Sequence, residues 1–315
     1  MEYNVVEDVP RVRRVRIRRN MDYTIFNDFI EVTVSDKGAE LMSVKSKRDG
    51  TEYLWQGDPT YWAGRAYNLF PICGRLTDGK YTYEGNTYEM NLHGFVRKSV
   101  LEATVLGRDK IDFAIRADER TLAMYPFDFE YHICYTLVEN TVKMEITVKN
   151  MSDKVMPFAL GGHPGFNVPL GGVEGEKFED YYVEFDPACK PKAIYMSDTC
   201  YTTDRVDDFP LENDSVLRLR HSLFDRDAVV LQDASHRIVL KSDSNTRKVT
   251  LEVPDAMKYL GIWHAPKKEA PYVCLEPWTS VPAYDGVVDD LSSKRDMFEL
   301  SPRATYELIW TITVE

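Results

Sequence analysis

From Met21 onward, hydrophobic and polar residues follow one another with a period of two. Phe29 to Val34 and Val142 to Lys149 alternate in this way, as a strand does when one face is buried and the other meets water. Further runs rich in β-branched and aromatic residues lie at Val100 to Leu106, Ile111 to Arg116, Phe129 to Val138, Tyr181 to Asp186, His236 to Lys241, Lys248 to Val253, Tyr259 to Trp263 and Thr305 to Val314. Each predicts a strand. The punctuation between them is that of tight turns: Asp49-Gly50, Asp78-Gly79, Glu84-Gly85-Asn86 and Glu139-Asn140. No long helical period competes, and short helical turns are expected at Asp58 to Trp62 and Glu119 to Tyr125. Many short strands with frequent turns predict an all-β chain, a large antiparallel β-sandwich of two sheets. A barrel is the structural alternative, and a propeller would show a blade repeat that this chain lacks.

The 315 residues suffice for two ordinary domains or one large β domain. No Ser/Gly-rich linker or fixed-period repeat interrupts the sequence after Met21, so residues 21–315 are read as a single domain. Residues 1–20 differ in kind. Six arginines between Arg11 and Arg19 face three acids, so this segment is +3 and the chain's net −12 becomes −15 without it. It is read as an appendage rather than a nucleic-acid arm. A net charge of −12 argues against nucleic acid or an anionic membrane as partner, since both reward a basic face. A small sugar-like ligand escapes that objection, and monomer and homodimer both stay open. Five cysteines, Cys73, Cys134, Cys189, Cys200 and Cys274, are odd in number and contain no C-x-x-C. Reduced thiols are expected, and with no long apolar run or secretory leader the reading is a soluble cytoplasmic protein.

Candidate chemistry concentrates in three segments. Asn91-Leu92-His93-Gly94-Phe95, Gly161-Gly162-His163-Pro164-Gly165-Phe166-Asn167 and Cys274-Leu275-Glu276-Pro277-Trp278 each set one proton-transferring group among small residues, proline and aromatics. Such settings present a side chain to a pocket floored by flat apolar surface. A glutamate of ordinary pKa about 4.3 is ionised at neutral pH, and an imidazole near about 6.5 can be held protonated by an adjacent negative charge. Glu276 and His163 are therefore expected to rest as base and acid. Phe166 and Trp278 are candidate flat apolar faces for a ligand, although buried area alone would place such aromatics in the core. His264, at the end of a strand, is a candidate to reach the same cleft.

These motifs, with Asn68-Leu69-Phe70-Pro71-Ile72-Cys73-Gly74-Arg75-Leu76 before them and Tyr125-Pro126-Phe127 between, resemble the aldose 1-epimerases, or galactose mutarotases. The resemblance runs from Met21 to the C-terminus and is greatest to the branch associated with lactose operons. It implies a sugar bound in a cleft on one sheet, with no cofactor and no metal. It implies Glu276 as general base, His163 as general acid, His93 as a second polarising histidine and Arg75 as a ligand of sugar hydroxyls. In the better-known galactose mutarotases an asparagine directly precedes that arginine, whereas Gly74 stands here, and no substrate-gripping aspartate is identified.

Three other readings compete. The cleft can bind a sugar or phosphosugar without turning it over, as a sensor or carrier, because fold does not fix function. It can act on a hexose 6-phosphate. His93, His163 and Glu276 can form a two-histidine, one-carboxylate metal site, which no local H-x-H or H-E-x-x-H pair anchors. An unphosphorylated aldose is the expected substrate, because Arg65, Arg97, Lys98, Lys267 and Lys268 read as solvated charges and no Gly-rich phosphate cradle is present. A glycosidase would want a second well-placed carboxylate. The composition of the first twenty residues gives one direct test. Deleting 1–20 should leave melting temperature and activity within error, and a loss of several degrees would make the arm part of the fold.

Overall fold

Most of the alternating segments assemble into one nine-stranded antiparallel sheet, whereas Ile30–Ser35 pairs with Asp22–Phe26 and Leu41–Ser46 in a separate three-stranded sheet. A computed structural model describes residues 20–315, so the basic extension, apart from Asn20, lies outside the described residues. The sheet runs in the order Val216–Arg218, Tyr181–Asp186, Arg237–Ser242, Lys248–Glu252, Thr305–Val314, Thr141–Asn150, Phe129–Val138, Lys110–Arg116 and Glu102–Val105. Its centre is the hairpin of Phe129–Val138 with Thr141–Asn150, closed where Glu139 takes a positive φ of 50°. Phe129, Tyr131, Ile133, Tyr135 and Leu137 are buried along one face, while the residues between them are half-buried.

A second antiparallel sheet has seven strands: Thr202–Asp208, Lys192–Met196, Val229–Gln232, Tyr259–Trp263, Tyr272–Trp278, Gly161–Asn167 and Ala66–Leu69. Its inner face places Phe166, Leu260, Ile262, Val273 and Leu275 in one core with Tyr131, Tyr135, Met144, Ile146, Trp310 and Ile312 of the larger sheet. The predicted all-β sandwich is thus the observed fold. The outer face of this second sheet is covered as well, so every residue of Tyr272–Trp278 is buried. Two smaller apolar clusters lie on that outer side, one around Leu69, Tyr259 and Trp278 and one around Trp55, Tyr272 and Cys274.

Local signals behave as their chemistry dictates. Asp118 accepts a 2.7 Å hydrogen bond from the Thr121 amide while Thr121 Oγ1 accepts one of 2.8 Å from the Asp118 amide, and this capping box starts the helix Glu119–Met124. Asp58 accepts from the amides of Tyr61 and Trp62 in the expected turn. All five cysteines are free. Among the described residues no helix is long and apolar enough to cross a membrane.

The two sheets touch where Gly162 lies over the Trp310 ring, and a Cβ at Gly162 would stand 2.6 Å from that ring. Overpacking of this kind costs about 1–3 kcal/mol. Gly162→Val should therefore lower the unfolding free energy by about that amount in urea titrations, whereas an unchanged midpoint would show that Trp310 yields freely.

Candidate active site

Side chains alternate across a strand, so Gly161, His163 and Gly165 share the outer face of their strand while Gly162, Pro164 and Phe166 point to the core. On the neighbouring strand the outward set is Cys274, Glu276 and Trp278. The register pairs Gly161 with Trp278 and Gly165 with Cys274, which sets His163 beside Glu276. Their Nε2 and Oε2 atoms are 3.2 Å apart. On the other side Glu276 pairs with Gly261. A Cβ there would lie 3.3 Å from the Glu276 Cβ and 3.1 Å from the Trp278 ring, so the glycine makes the room that both side chains occupy.

His93 comes from a loop fixed by its own backbone. Its amide donates to Gly74 O at 2.8 Å, and the Gly74 amide donates to His93 Nδ1 at 3.0 Å. With Nδ1 an acceptor, the neutral ring carries its proton on Nε2. Gly94 follows at φ +74°, where a Cβ would come within 2.0 Å of Phe70 O; only glycine fits. The His93 ring stands edge-on to His163 with centroids 5.5 Å apart.

Aromatic rings complete the enclosure. Trp62 stacks on His163 at 4.8 Å and on Tyr272 at 5.8 Å, and Tyr272 stacks on Trp55 at 4.6 Å. Trp263 meets both His163 and Trp62 edge-on. The cleft they border measures about 260 Å³, slightly under the roughly 300 Å³ at which small-molecule sites usually begin. A single sugar ring is the scale of ligand it suits.

Burial governs the electrostatics. It raises the Glu276 carboxyl well above the ordinary carboxylate range, with the nearby charge of Asp227 adding to the effect. It lowers His163 to about 3, aided by Arg97, and holds His93 well below its usual value, aided by His163, Arg97 and Arg75. Both members of the pair are driven toward neutrality, so together they hold one proton at rest. This corrects the expected ionised glutamate facing a protonated histidine. The two groups stand side by side on neighbouring strands.

Of the residues expected at the site, Glu276, His163, His93, Arg75 and Trp278 line this one cleft. Phe166 does not: it is three positions from His163, hence on the opposite strand face, and is buried in the inner core. His264 does not either. It is 0% exposed, its Nδ1 lies 2.8 Å from Ala265 O and its Nε2 3.0 Å from His221 Nδ1, and it packs on Phe178 and Phe224. The carbonyl makes Nδ1 the donor, so Nε2 accepts from His221. Both nitrogens are spent within the structure, so neither Phe166 nor His264 is a substrate ligand.

Sequence reasoning missed Trp62, Tyr67, Arg97, Asp227 and Trp263, all of which line the cleft. Arg97 donates from Nε to Leu92 O at 3.1 Å and lies 4.9 Å over the Tyr67 ring. Asp227, at φ +83°, accepts from Trp263 Nε1 at 2.6 Å. Its signal was the Asp225-Arg226-Asp227 turn ahead of Val229–Gln232, and that of Arg97 its place four residues beyond His93. Among the described residues the metal-capable group is His163, Cys274 and Glu276, whose donor atoms lie within 4.8 Å of one another, not the trio with His93. Burial and Glu276 keep the Cys274 thiol protonated, so binding an ion there means removing that proton and parting the His163–Glu276 contact.

Comparison with known proteins bears on the family and the fold. Protein LacX of Lactococcus lactis subsp. lactis, plasmid and chromosomal forms alike, is 33% identical over 304 residues, spanning 93% of this chain and 99% of that protein. The solved structure of a galactose mutarotase related enzyme from Lactobacillus acidophilus is 36% identical with a TM-score of 0.88, covering 94% of this chain and 97% of its own. A galactose mutarotase-like protein from Lactobacillus casei is 30% identical with the same TM-score, covering 94% and 100%. The family model for aldose 1-epimerase matches residues 21–286, and with that span inside a mutarotase-like sandwich, the chain belongs to the aldose 1-epimerase family.

Proposed function

We propose that the protein is an aldose 1-epimerase, an isomerase that interconverts the α and β anomers of an aldohexose. The observation that carries this reading is the buried His163–Glu276 contact of 3.2 Å, opening onto a cleft of one-sugar size. Anomer exchange takes a proton from the C1 hydroxyl and gives one to the ring oxygen. The bond from C1 to the ring oxygen breaks, an aldehyde forms, rotation about C1–C2 presents its other face, and the ring closes with the proton movements reversed. Both oxygens are bonded to the same carbon, so an acid and a base standing side by side reach both. Glu276 as carboxylate receives the hydroxyl proton and His163 as imidazolium supplies the other. That form differs from the resting pair only by one proton passing between the two groups, so net charge in the cleft is unchanged. The proton on His93 Nε2 is available to a sugar oxygen, and Trp62 and Trp278 supply flat apolar surface. Arg75, on the rim, offers a fork of donors to ring hydroxyls.

Positioned acid/base catalysis is worth typically about 10²–10⁴-fold. Glu276→Gln and His163→Asn should each lower kcat by about that factor in polarimetry of freshly dissolved α-anomers, with unchanged melting. The double variant should lose little more than either single one, because each already breaks the relay. Near-normal mutarotation by a folded Glu276→Gln protein would sink the mechanism, and tight sugar binding without turnover in the wild type would favour a sensor or carrier.

The pH profile tests the shared proton. Activity requires one proton on the pair, so it should fall only below about pH 3, where neutral His163 and protonated Glu276 together gain a second. On the alkaline side it should fall as the pair loses its only proton, at a pH set by the raised Glu276 carboxyl. Limbs at the ordinary values of about 4.3 and 6.5 would indicate two independently ionised groups instead.

A further inference from the structure

We propose that the sugar taken by this cleft carries an anionic group, a phosphate or a carboxylate, remote from its anomeric carbon. The inference rests on the epimerase reading for the position of that carbon. Two guanidinium groups, of Arg75 and Arg97, line the cleft together with the catalytic pair. Among the described residues neither has a carboxylate within ion-pair distance, which holds also for Arg65, Arg120, Arg220 and Arg226 away from the cleft, whereas other arginines pair at close range, as Arg116 with Glu130 and Arg205 with Asp207, both at 2.7 Å. Arg97 spends only Nε on protein, on the Leu92 carbonyl, and lays its flat face on Tyr67. That orientation leaves its two terminal nitrogens unpaired among the described residues, a fork that matches phosphate or carboxylate geometry.

Strand order gives the cleft a direction. Tyr67, beneath Arg97, belongs to the edge strand Ala66–Leu69. The next two strands carry His163 and Glu276, the one after them Trp263, and beyond it Asp227 leads into Val229–Gln232. The catalytic pair therefore sits between a cationic end at Arg97 and an acidic end at Asp227. The acidic end, already tied to the Trp263 N–H, suits hydroxyls. At the other end the half-buried guanidinium of Arg97 feels one carboxylate, Glu40, which stays beyond ion-pair distance and is committed to the Arg65 and Ala66 amides. A guanidinium so poorly compensated is costly, and an anionic substituent on the ligand would supply the missing charge. In a chain of net −12, this is a local inversion of sign, and it replaces the expectation of an uncharged sugar that came from reading Arg97 as a solvated charge.

The test compares binding and turnover separately. Dissociation constants would be measured calorimetrically at low salt for glucose and galactose, for their 6-phosphates and for their uronates, and anomer exchange followed by NMR on the same panel. At least one anionic form should bind tenfold or more tighter than its neutral parent. The preference should shrink as salt screens the contact and fall at least tenfold in R97Q, with R75Q, altered at an exposed position, as the second variant. Comparing the phosphate and uronate arms identifies which anion is meant. Equal, weaker or absent binding of every anionic form, or a preference that survives both substitutions, would overturn the inference. An anion preference without anomer exchange of any sugar would instead sink the epimerase reading and leave the inference standing. Exchange of neutral sugars with no anion preference would do the reverse.

Discussion

A carboxyl and an imidazole, both removed from water and 3.2 Å apart, can coexist only while each answers the other's need for a partner, and much of the second sheet is arranged around that condition. An isolated buried charge costs several kcal/mol, and the pair avoids the penalty by sharing a proton. The sharing requires a fixed register, since slipping either strand by one residue would send His163 or Glu276 to the opposite face. It also requires room on both flanks, which Gly161 and Gly261 provide at positions where a Cβ would press on Trp278.

The same condition explains why the outer face of this sheet is roofed. Were it open to water, the Glu276 carboxyl would ionise at neutral pH and the two groups would titrate independently. The roof is built from loops rather than from a third sheet. The Asp58 turn brings Trp62 down on His163, and the reciprocal hydrogen bonds of His93 and Gly74 pin the opposite wall. Gly94 lets that wall pass against Phe70 without strain. Chemistry on loops therefore inherits the precision of the sheet beneath, because each loop is tied to a strand or to another loop at the point where it meets a catalytic group.

This two-sided burial also decided what could be read from the chain. The nine-stranded sheet has one half-exposed face, so its strands alternate, and Phe129–Val138, Thr141–Asn150, Lys110–Arg116 and Thr305–Val314 were legible from periodicity. The site-bearing sheet is covered on both faces, so Tyr272–Trp278 and Gly161–Asn167 carry no alternation, and only Tyr259–Trp263 was anticipated as a strand. What remained legible there was punctuation: glycine, proline and aromatic residues around a titratable group marked His93, His163 and Glu276. Phe166 and His264 were misplaced because proximity in sequence was read without strand parity, which sends alternate residues to opposite faces. Trp62, Arg97 and Asp227 arrive from loops far apart in the chain, and only tertiary structure joins them. The resting protonation was misread for a related reason, since desolvation is a property of the assembled roof rather than of any short segment.

The distribution of tryptophan gives the molecule an optical asymmetry. Of the five in the chain, Trp62, Trp263 and Trp278 line the cleft, Trp55 is joined to it through Tyr272, and Trp310 lies directly beneath the histidine-bearing strand at Gly162. Indole emission from this protein is consequently a signal of the site and its floor, silent about the far edges of the larger sheet. Occupancy of the cleft, stacking on His163 and loosening of the roof are all written into that one spectrum, whereas fraying around Glu102–Val105 or Val216–Arg218 would pass unseen in it.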